Sequence, residues 1–140
     1  MSSVNFFYKR QLMQNTLARV VTLMRKWDHI HPSLKRLQWL PIHQRVDFKV
    51  ALLTYSIRYS GEPPHLNSLL MDYKPTRSLR SAEEHLLVVP QTILSSTSRA
   101  FSVAAPKLSN NLPLDIRNFK TMSIFRKLLK SYLYKQAYEH

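Results

Sequence analysis

Pro41-Ile42-His43-Gln44-Arg45-Val46-Asp47-Phe48-Lys49-Val50-Ala51-Leu52-Leu53-Thr54-Tyr55-Ser56-Ile57-Arg58-Tyr59-Ser60-Gly61 reads as one helix from end to end. Proline suits the first helical turn, where its missing amide hydrogen would have no intrahelical partner. Val46, Val50, Leu53 and Ile57 then recur at spacings of 4, 3 and 4, the signature of one apolar stripe on a 3.6-residue period. Arg45, Lys49 and Arg58 fall off that stripe. The helix should stop near Ser60-Gly61, before Pro63-Pro64.

The segments on either side repeat the pattern. Met13, Leu17, Val20, Val21 and Met24 form an apolar stripe on a first helix, with Arg19 and Arg25 outside it. A last helix opens near Thr121 or Ser123, either of which can cap free amides. Ile124, Leu128 and Tyr132, with Phe125, Leu129 and Leu133 alongside, give it a wide apolar face flanked by Arg126, Lys127 and Lys130. Ser33 to Leu40 forms a short helix or turn between Pro32 and Pro41, and a second short helix is expected around His65 to Met71.

The middle is less regular. Tyr73 to Ser81 has no helical period, and Pro75 forces its predecessor towards an extended backbone, so this stretch reads as a basic loop. Leu86 to Val89 and Arg99 to Val103 have strand character from β-branched content and alternation. A short two-stranded element in the region 86–103 is the expectation, with Ala104-Ala105-Pro106 and Leu112-Pro113 punctuating the approach to the last helix. The fold class is mainly α.

Composition agrees. The chain has 140 residues and a single glycine, Gly61, so tight β-hairpins and glycine-dependent phosphate loops are disfavoured. It has no cysteine, which removes disulfides, thiolate metal sites and thiol nucleophiles and fits a reducing compartment. The expected location is intracellular, nuclear or cytoplasmic, with a mitochondrial transit peptide as the minor alternative for the basic first 27 residues. No stretch is apolar enough to span a bilayer.

Net charge is +13, and its distribution says more than its size. Residues 1–27 carry five cations and no acid, residues 116–140 six cations and one acid, and the 88 residues between them ten cations against seven acids. The excess lies on two separate cationic faces. Candidate phosphate contacts are Arg19, Arg25, Lys26, Arg45, Lys49, Lys74, Arg77, Arg80, Arg126, Lys127 and Lys130. Enzymatic sites are harder to find. Glu83-Glu84 is the one adjacent carboxylate pair, and neighbouring residues point apart on either a helix or a strand. His29 and His31 share a face only in an extended segment and lack companion ligands, so neither metal nor cofactor is expected. Tyr55, Tyr59, Tyr73, Tyr132, Tyr134 and Trp27 can stack on bases or fill a core, and Trp39, between Leu37 and Leu40, is read as core.

A set of ordered runs carries a more specific signal. These are Gln14-Asn15 with Ala18-Arg19, Leu37-Gln38-Trp39-Leu40-Pro41, Arg45 to Lys49 with Leu52 to Tyr55, Pro75 to Ser81, Leu87-Val88-Val89-Pro90, Arg99 to Pro106 and Leu112 to Arg117. Together they resemble the C-terminal tail of LINE-type, non-LTR retrotransposon reverse transcriptases, from about Gln11 to Tyr138. Two departures stand out. The family commonly has Leu-Trp-Asn-Ser-Leu-Pro where this chain has Leu108-Ser109-Asn110-Asn111-Leu112-Pro113, and Gly-x-Arg-Ala-Phe-Ser where it has Thr97-Ser98-Arg99-Ala100-Phe101-Ser102.

A length of 140 residues fits one domain over 1–140. It would have a helical thumb-like part at about 1–60, an extended basic loop and small β element at about 72–105, and a basic helix at about 121–138. The catalytic aspartates of that family lie in the palm, upstream of the matched region, so the resemblance implies a non-enzymatic fragment. The implied function is phosphate-directed binding of RNA or DNA, with a reverse transcriptase core as a further partner. The alternatives are a helical scaffold that docks on protein, a basic amphipathic surface for anionic membranes, and a degenerate retroelement product with no selected function.

Overall fold

The computed structural model describes residues 3–75, 85–92, 97–118 and 120–139. Over these residues the protein is mainly α-helical, with α1 (Ser3–Thr22), α2 (His31–Arg36), α3 (Ile42–Ser60), α4 (Pro64–Asn67), α5 (Phe101–Asn111), α6 (Leu114–Arg117) and α7 (Met122–Tyr138). The chain divides into two compact units. One is Met1–Phe48 with Lys130–His140, and the other is Lys49–Leu129.

The first unit is built around Ala18, Leu34 and Tyr138, with Ile30, Leu37, Trp39, Tyr134 and Ala137 packed against them. The placement of Trp39 in the core is as expected. The face that α1 turns inward differs from the apolar stripe. Its buried residues are Gln14 and Ala18, whereas Met13, Leu17, Val20 and Val21 are exposed. The cause is hydrogen bonding. Gln14 Nε2 donates to the Leu40 carbonyl at 2.8 Å, and the Ile42 amide donates to Gln11 Oε1 at 2.9 Å. Two α1 glutamines thus satisfy the backbone that turns into α3, including an amide of its first turn, which has no partner within the helix. From the other end of this unit, the hydroxyl of Tyr134 donates to the Lys35 carbonyl at 2.9 Å, and that of Tyr138 donates to the Trp39 carbonyl.

Helix ends in this unit use residues other than glycine. Leu23 (φ 53°) and Gln38 (φ 54°) adopt the left-handed conformation that closes α1 and α2. Around each, the next amide reaches back five residues, Met24 to the Arg19 carbonyl and Trp39 to the Leu34 carbonyl, both at 3.0 Å. Gly61 (φ 74°) serves α3 in the predicted place, its amide bonding the Ile57 carbonyl at 2.7 Å.

The second unit draws its buried side chains from Ala51, Thr54 and Ile57 of α3, Val103, Ala105 and Pro106 of α5, Leu112, Ile116, and Phe125 and Leu129 of α7. As in α1, the buried side of α3 is rotated from the apolar stripe, so that Val46 and Leu53 are exposed while Thr54 is buried, its hydroxyl donating to the Val50 carbonyl at 2.8 Å. Tyr55 stacks on Phe125 with ring centroids 4.1 Å apart and planes 12° from parallel.

The expected strand pair is corrected. Leu87 forms an isolated antiparallel bridge, and its partner is Asp72. Arg99 ends a 3-10 turn (Thr97–Arg99), and Phe101 opens α5, which continues through Pro106 to Asn111. Five alternating residues fit a strand and a helical turn equally well. The buried face of Val103, Ala105 and Pro106 decides for the helix. The last helix starts as predicted, with the Phe125 amide bonding the Thr121 carbonyl at 3.0 Å.

Candidate nucleic-acid interface

The described candidate cations are placed by three helices, the turn after α1 and the segment beside Asp72. Arg45 and Lys49 stand one turn apart on α3, and both are exposed. Arg126 and Lys130 stand one turn apart on α7, with Lys127 beside them, and all three are exposed. Arg25 and Lys26 are exposed in the turn after α1, where the Arg25 amide binds the Asp28 carboxylate at 3.0 Å and the Lys26 ammonium lies 5.2 Å from the centre of the Trp27 ring. Lys74 is exposed next to the Asp72–Leu87 bridge region. Arg77 and Arg80 lie outside the described residues.

Arg19 differs from the rest. It is half-buried, and its guanidinium is turned to the Asp28 carbonyl at 3.5 Å, where it braces the turn that follows α1. Among the described residues the ion pairs are His43–Asp47 at 3.2 Å and Arg58–Asp72 at 2.7 Å. None of the side chains of Arg25, Lys26, Arg45, Lys49, Lys74, Arg126, Lys127 or Lys130 forms an ion pair among the described residues.

Arg58 is a residue whose role the sequence hides. Besides Asp72 it donates to the His85 carbonyl at 3.2 Å, so it fastens two segments 14 and 27 residues away. No local spacing signals such a contact. Asn110 is a second case. Its side-chain amide takes both backbone groups of Leu87, accepting from the amide at 2.9 Å and donating to the carbonyl at 2.8 Å. Beside it, Ser109 helps line a cleft of about 40 Å³ with Ala51, Thr54, Tyr55, Leu112 and Phe125.

Among the described residues the clearly perturbed titratable groups are Asp47, Tyr55 and Tyr138, with Asp47 on α3 between Arg45 and Lys49 in sequence. Burial raises the Asp47 carboxyl, against the opposing pull of His43. Burial, then Tyr59, raises the Tyr55 phenol. Burial, then Tyr134, pushes Tyr138 up to about 12. His31 packs its ring against Tyr138 with centroids 4.9 Å apart, a packing role for one of the two neighbouring histidines. Among the described residues no group of three or more His, Cys, Asp or Glu could hold a metal ion, and no helix is long and apolar enough to cross a membrane. Compared with protein families, with curated proteins and with solved structures, the chain matches none.

Proposed function

We propose that this chain is a non-catalytic nucleic-acid-binding segment of the kind found in the C-terminal tail of LINE-type reverse transcriptases, gripping RNA or DNA through phosphates. The observation that carries the reading is the set of exposed cations on α3 and α7, Arg45, Lys49, Arg126, Lys127 and Lys130, none paired with a carboxylate among the described residues. Cations spaced one turn apart along a helix suit successive phosphates, and such contacts supply affinity without reading sequence.

Ser109 and Asn110 occupy two positions of the motif on which the resemblance rests. Asn110 stands where the family motif has its asparagine, and its amide closes both hydrogen bonds of a buried backbone segment. Ser109 stands where the motif has a tryptophan, and it borders a cleft. A polymerase core that binds nucleic acid alongside this segment is part of the same proposal.

Fluorescence anisotropy with labelled duplex DNA and single-stranded RNA tests it. Arg126→Gln/Lys127→Gln/Lys130→Gln should weaken binding to unrelated sequences by the same factor and flatten the dependence of log K on log[salt] on duplex DNA by roughly 2 to 3 units. A triple variant that binds as the wild type does would remove α7 from the interface.

A further inference from the structure

The exposed side of α1 is a separate feature that the cations of α3 and α7 do not explain. At about 100° per residue, Phe6, Met13, Leu17 and Val20 fall within an arc of roughly 60° and form a ridge about 21 Å long. All four are exposed, Met13 and Val20 to 67%. Leu23 and Trp27, which follow α1 in the chain, are 91% and 85% exposed. Gln14 and Ala18, roughly 110° round the helix from the middle of the ridge, are buried in the first unit, so the helix is held with its apolar ridge exposed. A contiguous apolar surface of this kind marks an interaction site.

The charges around it select the partner. Residues 1–27 contain no acid, and four of their five cations accompany the ridge. The Arg10 guanidinium lies 4.2 Å from the centre of the Phe6 ring, and the Lys26 ammonium 5.2 Å from that of Trp27, with Lys9 and Arg25 adjacent in sequence. A second copy of the chain would set this cationic surface against itself. Phosphodiester chains offer nothing to Met13, Leu17 or Val20. An anionic bilayer satisfies both parts, because acyl chains receive a convex apolar ridge without a matching groove while headgroup phosphates meet the flanking cations. We propose that α1 and the turn after it form a peripheral binding face for anionic lipid bilayers, lying in the plane of the interface with Leu23 and Trp27 inserted. This goes beyond nucleic-acid binding and uses different residues from those on α3 and α7.

Sedimentation with vesicles of phosphatidylcholine and phosphatidylserine, against vesicles of phosphatidylcholine alone, tests the proposal on the full chain. Retention on the anionic vesicles and a blue shift of tryptophan emission are expected. Leu17→Ser/Trp27→Ser adds no charge and alters exposed positions, so circular dichroism and DNA affinity should stay unchanged while vesicle retention drops at least tenfold. Arg25→Gln/Lys26→Gln should lower retention by on the order of tenfold, since each cation near an anionic surface contributes severalfold. Absence of retention on anionic vesicles, equal retention on phosphatidylcholine alone, or equal retention of the double serine variant would each overturn it. A concentration-dependent dimer on gel filtration that the serine variant abolishes, with no vesicle binding, would give the ridge to a second copy instead.

Discussion

Replacing Asn110 with alanine removes a side chain that acts as a strand. Leu87 is bridged to Asp72 through their neighbours, the Tyr73 amide bonding the Leu86 carbonyl and the Val88 amide bonding the Met71 carbonyl, both at 2.8 Å. That pattern leaves the amide and carbonyl of Leu87 itself pointing to the other edge, where the Asn110 amide takes both, at 2.9 and 2.8 Å. Leu87 is only 2% exposed, so water has little access to replace the lost bonds. An intramolecular hydrogen bond contributes about 1 kcal/mol net, and a buried group left unpaired costs about 1–3 kcal/mol. Asn110→Ala should therefore destabilise by about 2–5 kcal/mol, a large part of the roughly 5–15 kcal/mol typical of a folded domain. Asn110→Asp keeps the acceptor for the Leu87 amide, loses the donor and sets a carboxylate against a carbonyl, so it also destabilises, and lowering the pH to protonate the new carboxyl should recover part of the loss. Urea unfolding followed by circular dichroism measures both. A loss under about 0.5 kcal/mol for the alanine variant would show that the clamp contributes nothing net.

Three further outcomes follow from the same structure. Leu23→Gly relieves a left-handed leucine (φ 53°) whose side chain is exposed, and should stabilise by about 1 kcal/mol in the same urea assay. Ser109→Trp places an aromatic ring beside the cleft of about 40 Å³ and should raise the unfolding midpoint, whereas a lowered midpoint would mean that the cleft does not accept the ring. Burial, then Tyr134, raises Tyr138 from 10.0 to about 12, so its contribution to stability is complete below pH 10 and is lost as pH rises through about 12. In a pH series of thermal unfolding, Tyr138→Phe should remove that alkaline loss.

Helices were easier to find in the sequence than the faces they bury. Periodicity located α1, α3 and α7, and Gly61 and Thr121 marked the end of one and the start of another, because capping is local chemistry. The orientation of α1 was not legible. Its buried face consists of Gln14 and Ala18, residues that a hydropathy pattern discards, and they face inward because the Leu40–Ile42 backbone needs polar partners and Ala18 packs in the first unit's core. Thr54 in α3 repeats the lesson. Arg99 to Val103 is not a strand because alternation over five residues also fits a helix start, and α5 runs through Pro106, which the sequence offers as punctuation before the last helix. Among the candidate phosphate contacts, Arg45, Lys49, Arg126, Lys127 and Lys130 each kept an exposed side chain on a helix, with no ion pair among the described residues. Arg19 did not, since its contact with the Asp28 carbonyl depends on how the chain turns after α1. Arg58 and Asn110 escaped altogether because their partners are distant in sequence.

Affinity for duplex DNA measured across a salt series tests the central claim most directly. If Arg45, Lys49, Arg126, Lys127 and Lys130 each neutralise one phosphate, log K should fall against log[salt] with a slope of roughly −4 to −5, alike for unrelated sequences. A slope near zero, or no binding at low salt, would contradict a phosphate-directed grip.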